Sequence, residues 1–146
     1  MDVRESPMML ARALGLYEQA KVQALREFLE PGATFIDIGA NKGDFTVLAA
    51  SIVGTSGRVI AIEPERNNFS WLCRSVEENA IANAECHQIG LGSDNYEGIL
   101  HLSTVSGLHS LLSLPGRVEE GVEIVDVRAL DHFIGNARVD AIKIDV

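Results

Sequence analysis

The segment Thr34-Phe35-Ile36-Asp37-Ile38-Gly39-Ala40-Asn41-Lys42-Gly43 constrains the fold more than any other part of this chain. Phe35, Ile36 and Ile38 form the short apolar run of a strand covered on both faces, a pattern that belongs to parallel sheets. Asp37 interrupts the run near the strand's carboxyl end, where open α/β sheets bind their ligands. Gly39 and Gly43 permit a tight turn with close backbone approach, and the amides that follow open a helix whose amino end favours negative charge. Strand, glycine turn and helix in this order are the entry to a nucleotide-type cofactor site.

The rest of the chain repeats the rhythm. Ser6 and Pro7 read as a helix start, and apolar residues from Leu10 to Leu29 recur at helical spacing up to Pro31-Gly32, with Gly15 a point where the helix can divide. A helix from Gly43 to Ile52 follows the glycine turn and is stopped by Gly54-Thr55-Ser56-Gly57. Arg58 to Ile62 is a second buried strand, and Phe69, Leu72, Cys73 and Val76 mark one face of a helix running to Asn79. Ala84 to Ile89 is a third strand. Strands alternating with helices predict a parallel sheet with right-handed crossovers. Gly98 to Leu102 and Val122 to Val127 alternate in polarity instead and are expected to form an antiparallel hairpin around a loop from Ser103 to Gly116. A short helix over Arg128 to Ile134 and a fourth buried strand over Asp140 to Val146 complete the reading. The expected organisation is a helical segment over 1–30 and one domain over 31–146.

Composition narrows the function. With 146 residues, 47% of them apolar, the chain has enough side chains for one substantial core. The 12 Lys and Arg are outnumbered by 21 Asp and Glu, for a formal charge of −9 and no basic cluster, which argues against nucleic acid or an anionic membrane as partner. Cys73 and Cys86 lack any metal-ligand spacing, so they are read as reduced, largely buried thiols and no metal is expected. The amino terminus has no signal-peptide pattern and no apolar run reaches membrane-spanning length, so a cytoplasmic location is expected.

Two cofactor classes compete for the glycine turn. A nicotinamide dinucleotide requires Gly-x-Gly-x-x-Gly, but the second and third of those positions are Asn41 and Asp44, and Asp44 sets a negative charge where a pyrophosphate would sit. A cofactor without phosphates that carries a carboxylate, an amine and a ribose tolerates the same turn, with Asp37 near its cationic end. S-adenosylmethionine fits that description. Glu63, at the end of the second strand, lies at the spacing where an acid accepts hydrogen bonds from ribose hydroxyls.

With these residues in view, the chain from Pro31 to Val146 resembles the FkbM-type S-adenosylmethionine-dependent methyltransferases. The resemblance rests on Pro31 to Gly43, on Gly57-Arg58-Val59-Ile60-Ala61-Ile62-Glu63-Pro64, on the helix with Asn68 and Leu72 that ends in Glu78-Asn79, and on Asp140-Ala141-Ile142-Lys143-Ile144-Asp145-Val146. It implies a Rossmann-like class I methyltransferase sheet, parallel, with helices on both faces and an inserted β-hairpin. Of the family order 3-2-1-4-5-7-6 this chain supplies 3-2-1-4, because the family pattern runs on past Val146 into Glu-Gly and three further strands. The sheet is therefore expected to be incomplete at its carboxyl end, with an apolar fourth-strand edge open to self-association. The resemblance also implies that Asp37, Gly39, Asn41 and Gly43 surround the methionine part of the cofactor, that Glu63 holds the ribose, and that Gly90, Leu91, Gly92 and Ser93 lie near the adenine.

The activity implied is methyl transfer to a hydroxyl oxygen of a small molecule or glycan. The alternatives are a non-catalytic cofactor-binding remnant of such an enzyme and an NAD-dependent oxidoreductase. Period-2 alternation sets Ala141, Lys143 and Asp145 on one face of the fourth strand, and a charged pair there is costly unless it is paired or at a site. Asp145 is the candidate base, with Lys143 beside it, and His109 is a further candidate if the hairpin loop covers the site. His87 is read as structural, and Trp71 as a packing residue.

Overall fold

The computed structural model describes residues 18–103, 109–112 and 119–145. Along these the chain runs α1 (Gln19–Phe28), β1 (Thr34–Ile38), α2 (Asp44–Val53), β2 (Arg58–Ile62), α3 (Arg66–Glu78), β3 (Ala84–His87), β4 (Gly90–Gly92), β5 (Tyr96–Ser103), β6 (Glu119–Ala129), α4 (Leu130–Ile134) and β7 (Ala141–Ile144). The helical reading from Ser6 to Tyr17, positions 104–108 and 113–116 of the expected loop, and Val146 lie outside the described residues.

The main sheet has the order β3-β2-β1-β7 and every pair in it is parallel. This is the 3-2-1-4 arrangement that the family resemblance implies, and β1 and β2 occupy its middle with both faces buried. Phe35 and Val59 face one way and pack with Leu29, Ala49, Ala50 and Val53, which binds α2 to that side. Ile36, Ile38, Ile60 and Ile62 face the other way and meet Leu130, Phe133 and Ile134 of α4. Burying both faces of these two strands is the main hydrophobic contribution to the fold. The same alternation carries Asp37 to the α2 side, where it is completely buried.

Three expectations change. The third strand stops at His87 rather than Ile89, and Gly90–Gly92 forms a separate strand parallel to β6. The inserted hairpin is thus a three-stranded sheet, β4-β6-β5, closed by the long antiparallel β5–β6 pair. Glycine causes the difference: a Cβ on Gly92 would come within 2.9 Å of the Val127 side chain, so only a bare backbone lies this close to β6. The fourth strand is also only half buried. Ala141 and Lys143 point inward, while Ile142 and Ile144 are exposed, because α4 covers β1 and β2 and does not extend over β7.

Both cysteines are partly buried and unbridged, and burial, reinforced by the neighbouring Cys73, pushes the Cys86 thiol up to about 12. His87 packs edge-on against Phe133, and Trp71 lies half exposed with the Arg74 guanidinium over its ring. Among the described residues no helix is long and apolar enough to cross a membrane.

Candidate functional site

The carboxyl ends of β1 and β2 are joined by the glycine turn. Gly39, Asn41 and Gly43 all take left-handed backbone angles, with φ of 70°, 51° and 93°. Gly43 has a second reason to be glycine, since a Cβ there would lie 2.9 Å from Leu72 Cδ1 of α3. The turn is tied to the end of β2. The amides of Gly39 and Ala40 both donate to the Ile62 carbonyl at 3.0 Å, and the Asn41 amide donates to Glu63 Oε2 at 2.8 Å. On its far side Ser75 Oγ donates to the Lys42 carbonyl at 2.7 Å.

Glu63 is 5% exposed, and its carboxylate is held from several directions. Besides Asn41, it accepts the Glu65 amide on Oε1 at 3.0 Å and a hydrogen bond from the Asn68 side chain. Burial pushes its pKa upward. The Glu65 and Asn41 amides oppose this, the Glu65 charge adds to it, and Asn68 opposes it. Glu65 caps α3, accepting from the amides of Asn67 at 2.8 Å and Asn68 at 2.7 Å, so the helix that delivers Asn68 is fixed from the same loop.

Beside this loop lies a cavity of about 510 Å³. Gly39 and Asn41 of the turn, Glu63 and Pro64, Asn68, and Gly90, Leu91 and Gly92 of β4 line it. His109 to Leu112 close it from the hairpin side, with Leu130 and Ile144 adding apolar surface and Asp145 an acid. Among the described residues Glu63 and Asp145 are therefore the formally charged lining residues, and no described lysine or arginine lines the cavity.

The structure separates several residues that the sequence grouped together. Asp37 and Gly43 do not line this cavity. Both Asp37 oxygens are engaged inside the protein, Oδ2 by Thr46 Oγ1 at 2.7 Å and Oδ1 by Lys143 Nζ at 2.9 Å, so Asp37 acts beneath the turn rather than on a ligand. Gly43 faces a wider groove beside α1, on the other side of the turn. Lys143 does not reach the cavity either, because its ammonium is spent on Asp37 and on the Gly39 carbonyl at 3.2 Å. The pairing of Lys143 with Asp145 is looser, at 3.9 Å, and the nearer cation to Asp145 is Lys21 of α1 at 2.8 Å. Both ammonium groups approach the same oxygen, Oδ2.

His109 reaches the cavity, but its ring is committed. Nδ1 accepts the Ser103 amide at 3.1 Å, so the neutral imidazole carries its proton on Nε2 and offers a donor, not a base. Gly90 and Gly92 line the cavity as expected, yet their missing Cβ atoms face Val127. Sequence reasoning missed Asn68, Thr46 and Lys21 as members of this neighbourhood. Asn68 had a signal, since it stands three residues after the capping Glu65 on the helix that follows Glu63, whereas Thr46 and Lys21 had none.

Known proteins resemble this chain in sequence and in fold. The sequence profile of the Methyltransferase FkbM domain matches residues 37–146. A probable cobalt-precorrin-6B C(15)-methyltransferase (decarboxylating) from Sulfurisphaera tokodaii is 39% identical over 67 residues, 45% of this chain and 35% of that protein. A ribosomal RNA large subunit methyltransferase E from Acinetobacter baumannii is 36% identical over 50 residues, 34% of this chain and 23% of that one. The chain thus spans about a third or less of the curated relatives' length. The crystal structure of the methyltransferase FkbM from Methylobacillus flagellatus superposes on 88% of this chain and 33% of its own, with a TM-score of 0.54 and 18% identity, a likeness of fold.

Proposed function

Since the chain belongs to the FkbM-type S-adenosylmethionine-dependent methyltransferases, we propose that its cavity binds S-adenosylmethionine and that the protein transfers the methyl group to a hydroxyl oxygen of a small molecule or glycan. The observation that carries this reading is the charge of the cavity: among the described residues its formally charged lining is the two acids Glu63 and Asp145. Such a lining suits a cationic ligand and repels the pyrophosphate of a dinucleotide. Asp44, in the first turn of α2, borders the groove on the other side of the turn and does not add to the charge of this cavity.

The fit of the cofactor rests on Glu63. Its buried carboxylate takes one backbone amide on each oxygen and keeps lone pairs for ribose hydroxyls. The Gly39 to Asn41 backbone borders the methionine end, and Leu91 with the apolar lining suits the adenine. When bound, S-adenosylmethionine supplies an electrophilic methyl group on a sulfonium. Asp145, at the rim and anchored through Oδ2, orients an acceptor hydroxyl through Oδ1 and takes its proton. His109 Nε2–H donates to the acceptor or to its neighbour in the cavity. A net charge of −9 makes an RNA acceptor unfavourable.

A methyl-transfer assay with a tritium-labelled methyl donor tests the reading, with alcohols, sugars and RNA offered in parallel. Label should enter a hydroxyl acceptor, and Asp145→Asn should lower kcat roughly 10²- to 10⁴-fold with little change in S-adenosylhomocysteine affinity. Label found in RNA or on carbon would contradict the acceptor class, and an unimpaired Asp145→Asn would remove the base.

A further inference from the structure

Lys143 lies opposite Asp37 in the β1–β7 register, with its side chain only 12% exposed and its ammonium 5.2 Å from the centre of the Phe45 ring. If it existed only to neutralise Asp37, a single contact would suffice. It makes a second one, to the carbonyl of Gly39, the first residue of the glycine turn. That carbonyl and the Ala40 amide belong to one rigid peptide plane, so fixing the oxygen also fixes the direction of the N–H that reaches Ile62. The next amide, that of Asn41, is the one that supports Glu63. The β2 side of the turn is tied by backbone bonds; on the β7 side the Asp145 amide donates to the Ile38 carbonyl at 3.1 Å, just before the turn, and this lysine is the side-chain tie to the turn itself.

We propose that Lys143 is a positioning residue that locks the Gly39–Ala40 peptide, and through it the Asn41 amide under Glu63, so that strand β7 sets the shape of the cofactor turn. Asp37, held by Thr46 Oγ1, is the anchor that aims the lysine. The consequence for binding rests on the cofactor reading given above; the consequence for the turn does not.

Lys143→Met alone strands a buried carboxylate and is at risk of not folding. The informative comparison is therefore Asp37→Asn against the double variant Asp37→Asn/Lys143→Met, in which both charges are gone. Two readouts apply: amide hydrogen exchange of the cofactor-free protein, and titration with S-adenosylhomocysteine. In the double variant the amides of Ala40 and Asn41 should exchange roughly three- to tenfold faster, the effect of one lost hydrogen bond, while Ile60 in the middle of β2 keeps its protection. The S-adenosylhomocysteine dissociation constant should rise by a similar factor. Unchanged exchange at Ala40 and Asn41, or a loss of protection shared equally by β2, would show that the lysine is a structural ion-pair partner and overturn the proposal. Failure of the unmodified chain to bind S-adenosylhomocysteine would overturn the cofactor reading instead, and the exchange comparison would still decide the role of Lys143.

Discussion

Glu63 performs two tasks with one carboxylate: it receives the amides of Asn41 and Glu65, which set the loop, and it presents its remaining lone pairs to the cavity. Its folded-state pKa is raised, chiefly by burial, above the ordinary value of 4.5. Between those two values the folded chain holds more protons than the unfolded one, so Glu63's contribution to stability is present below the ordinary value and is lost as pH rises through the raised one. Ligand hydroxyls that donate to the carboxylate favour its ionised form, so S-adenosylhomocysteine affinity should strengthen with pH over the same interval. Titration calorimetry at a series of pH values should show this slope in the native chain. Glu63→Gln should remove it and weaken binding by about 1–3 kcal/mol at neutral pH, because an amide cannot accept on both sides. A slope that survives in Glu63→Gln would place the titrating group elsewhere. Gly43 gives a second test at this scale. With φ of 93° and Leu72 Cδ1 2.9 Å from any Cβ, Gly43→Ala should destabilise the fold by about 1–3 kcal/mol in chemical denaturation; an unaffected midpoint would contradict the tight packing of the turn on α3. The glycine turn and the position of Glu63 at the end of β2 were legible in the sequence. The partners of Asp37 were not, because Thr46 and Lys143 meet it only through the packing of α2 and β7.

At the scale of elements, α3 links capping to the site. Glu65 both closes the amino end of the helix and gives its own amide to Glu63, so the helix start and the Glu63 carboxylate form one unit. Glu65→Ala should cost about 0.5–2 kcal/mol of stability. It should also weaken S-adenosylhomocysteine binding, which loss of a remote cap would not do; normal affinity in a destabilised Glu65→Ala would separate the cap from the site. The elements of the main sheet were legible because buried parallel strands announce themselves as short apolar runs between helical periods. The inserted sheet was legible only in part. The alternation of β5 and β6 shows in the sequence, but β4 is two glycines around one leucine, and no local pattern distinguishes such a strand from a turn. Its existence depends on Val127 lying close enough that a Cβ would not fit.

At the scale of the whole molecule, charge and exposed apolar surface pull in different directions. A net charge of −9 favours solubility. Yet β7 is an edge of the main sheet among the described residues, and Ile142 and Ile144 are 44% and 67% exposed on it. An uncovered strand edge with exposed apolar side chains is a template for pairing with another copy. Sedimentation velocity should show an apparent mass that rises with concentration, and Ile142→Lys should suppress the rise; a single-chain mass at every concentration would refute the pairing. The central claim is that the glycine turn and Glu63 make a site for a phosphate-free, ribose-bearing cofactor. Calorimetric titration of the chain with S-adenosylhomocysteine and with NAD, side by side, tests it most directly. The account predicts saturable binding of S-adenosylhomocysteine and none of NAD at the same concentrations; tighter binding of NAD would contradict it.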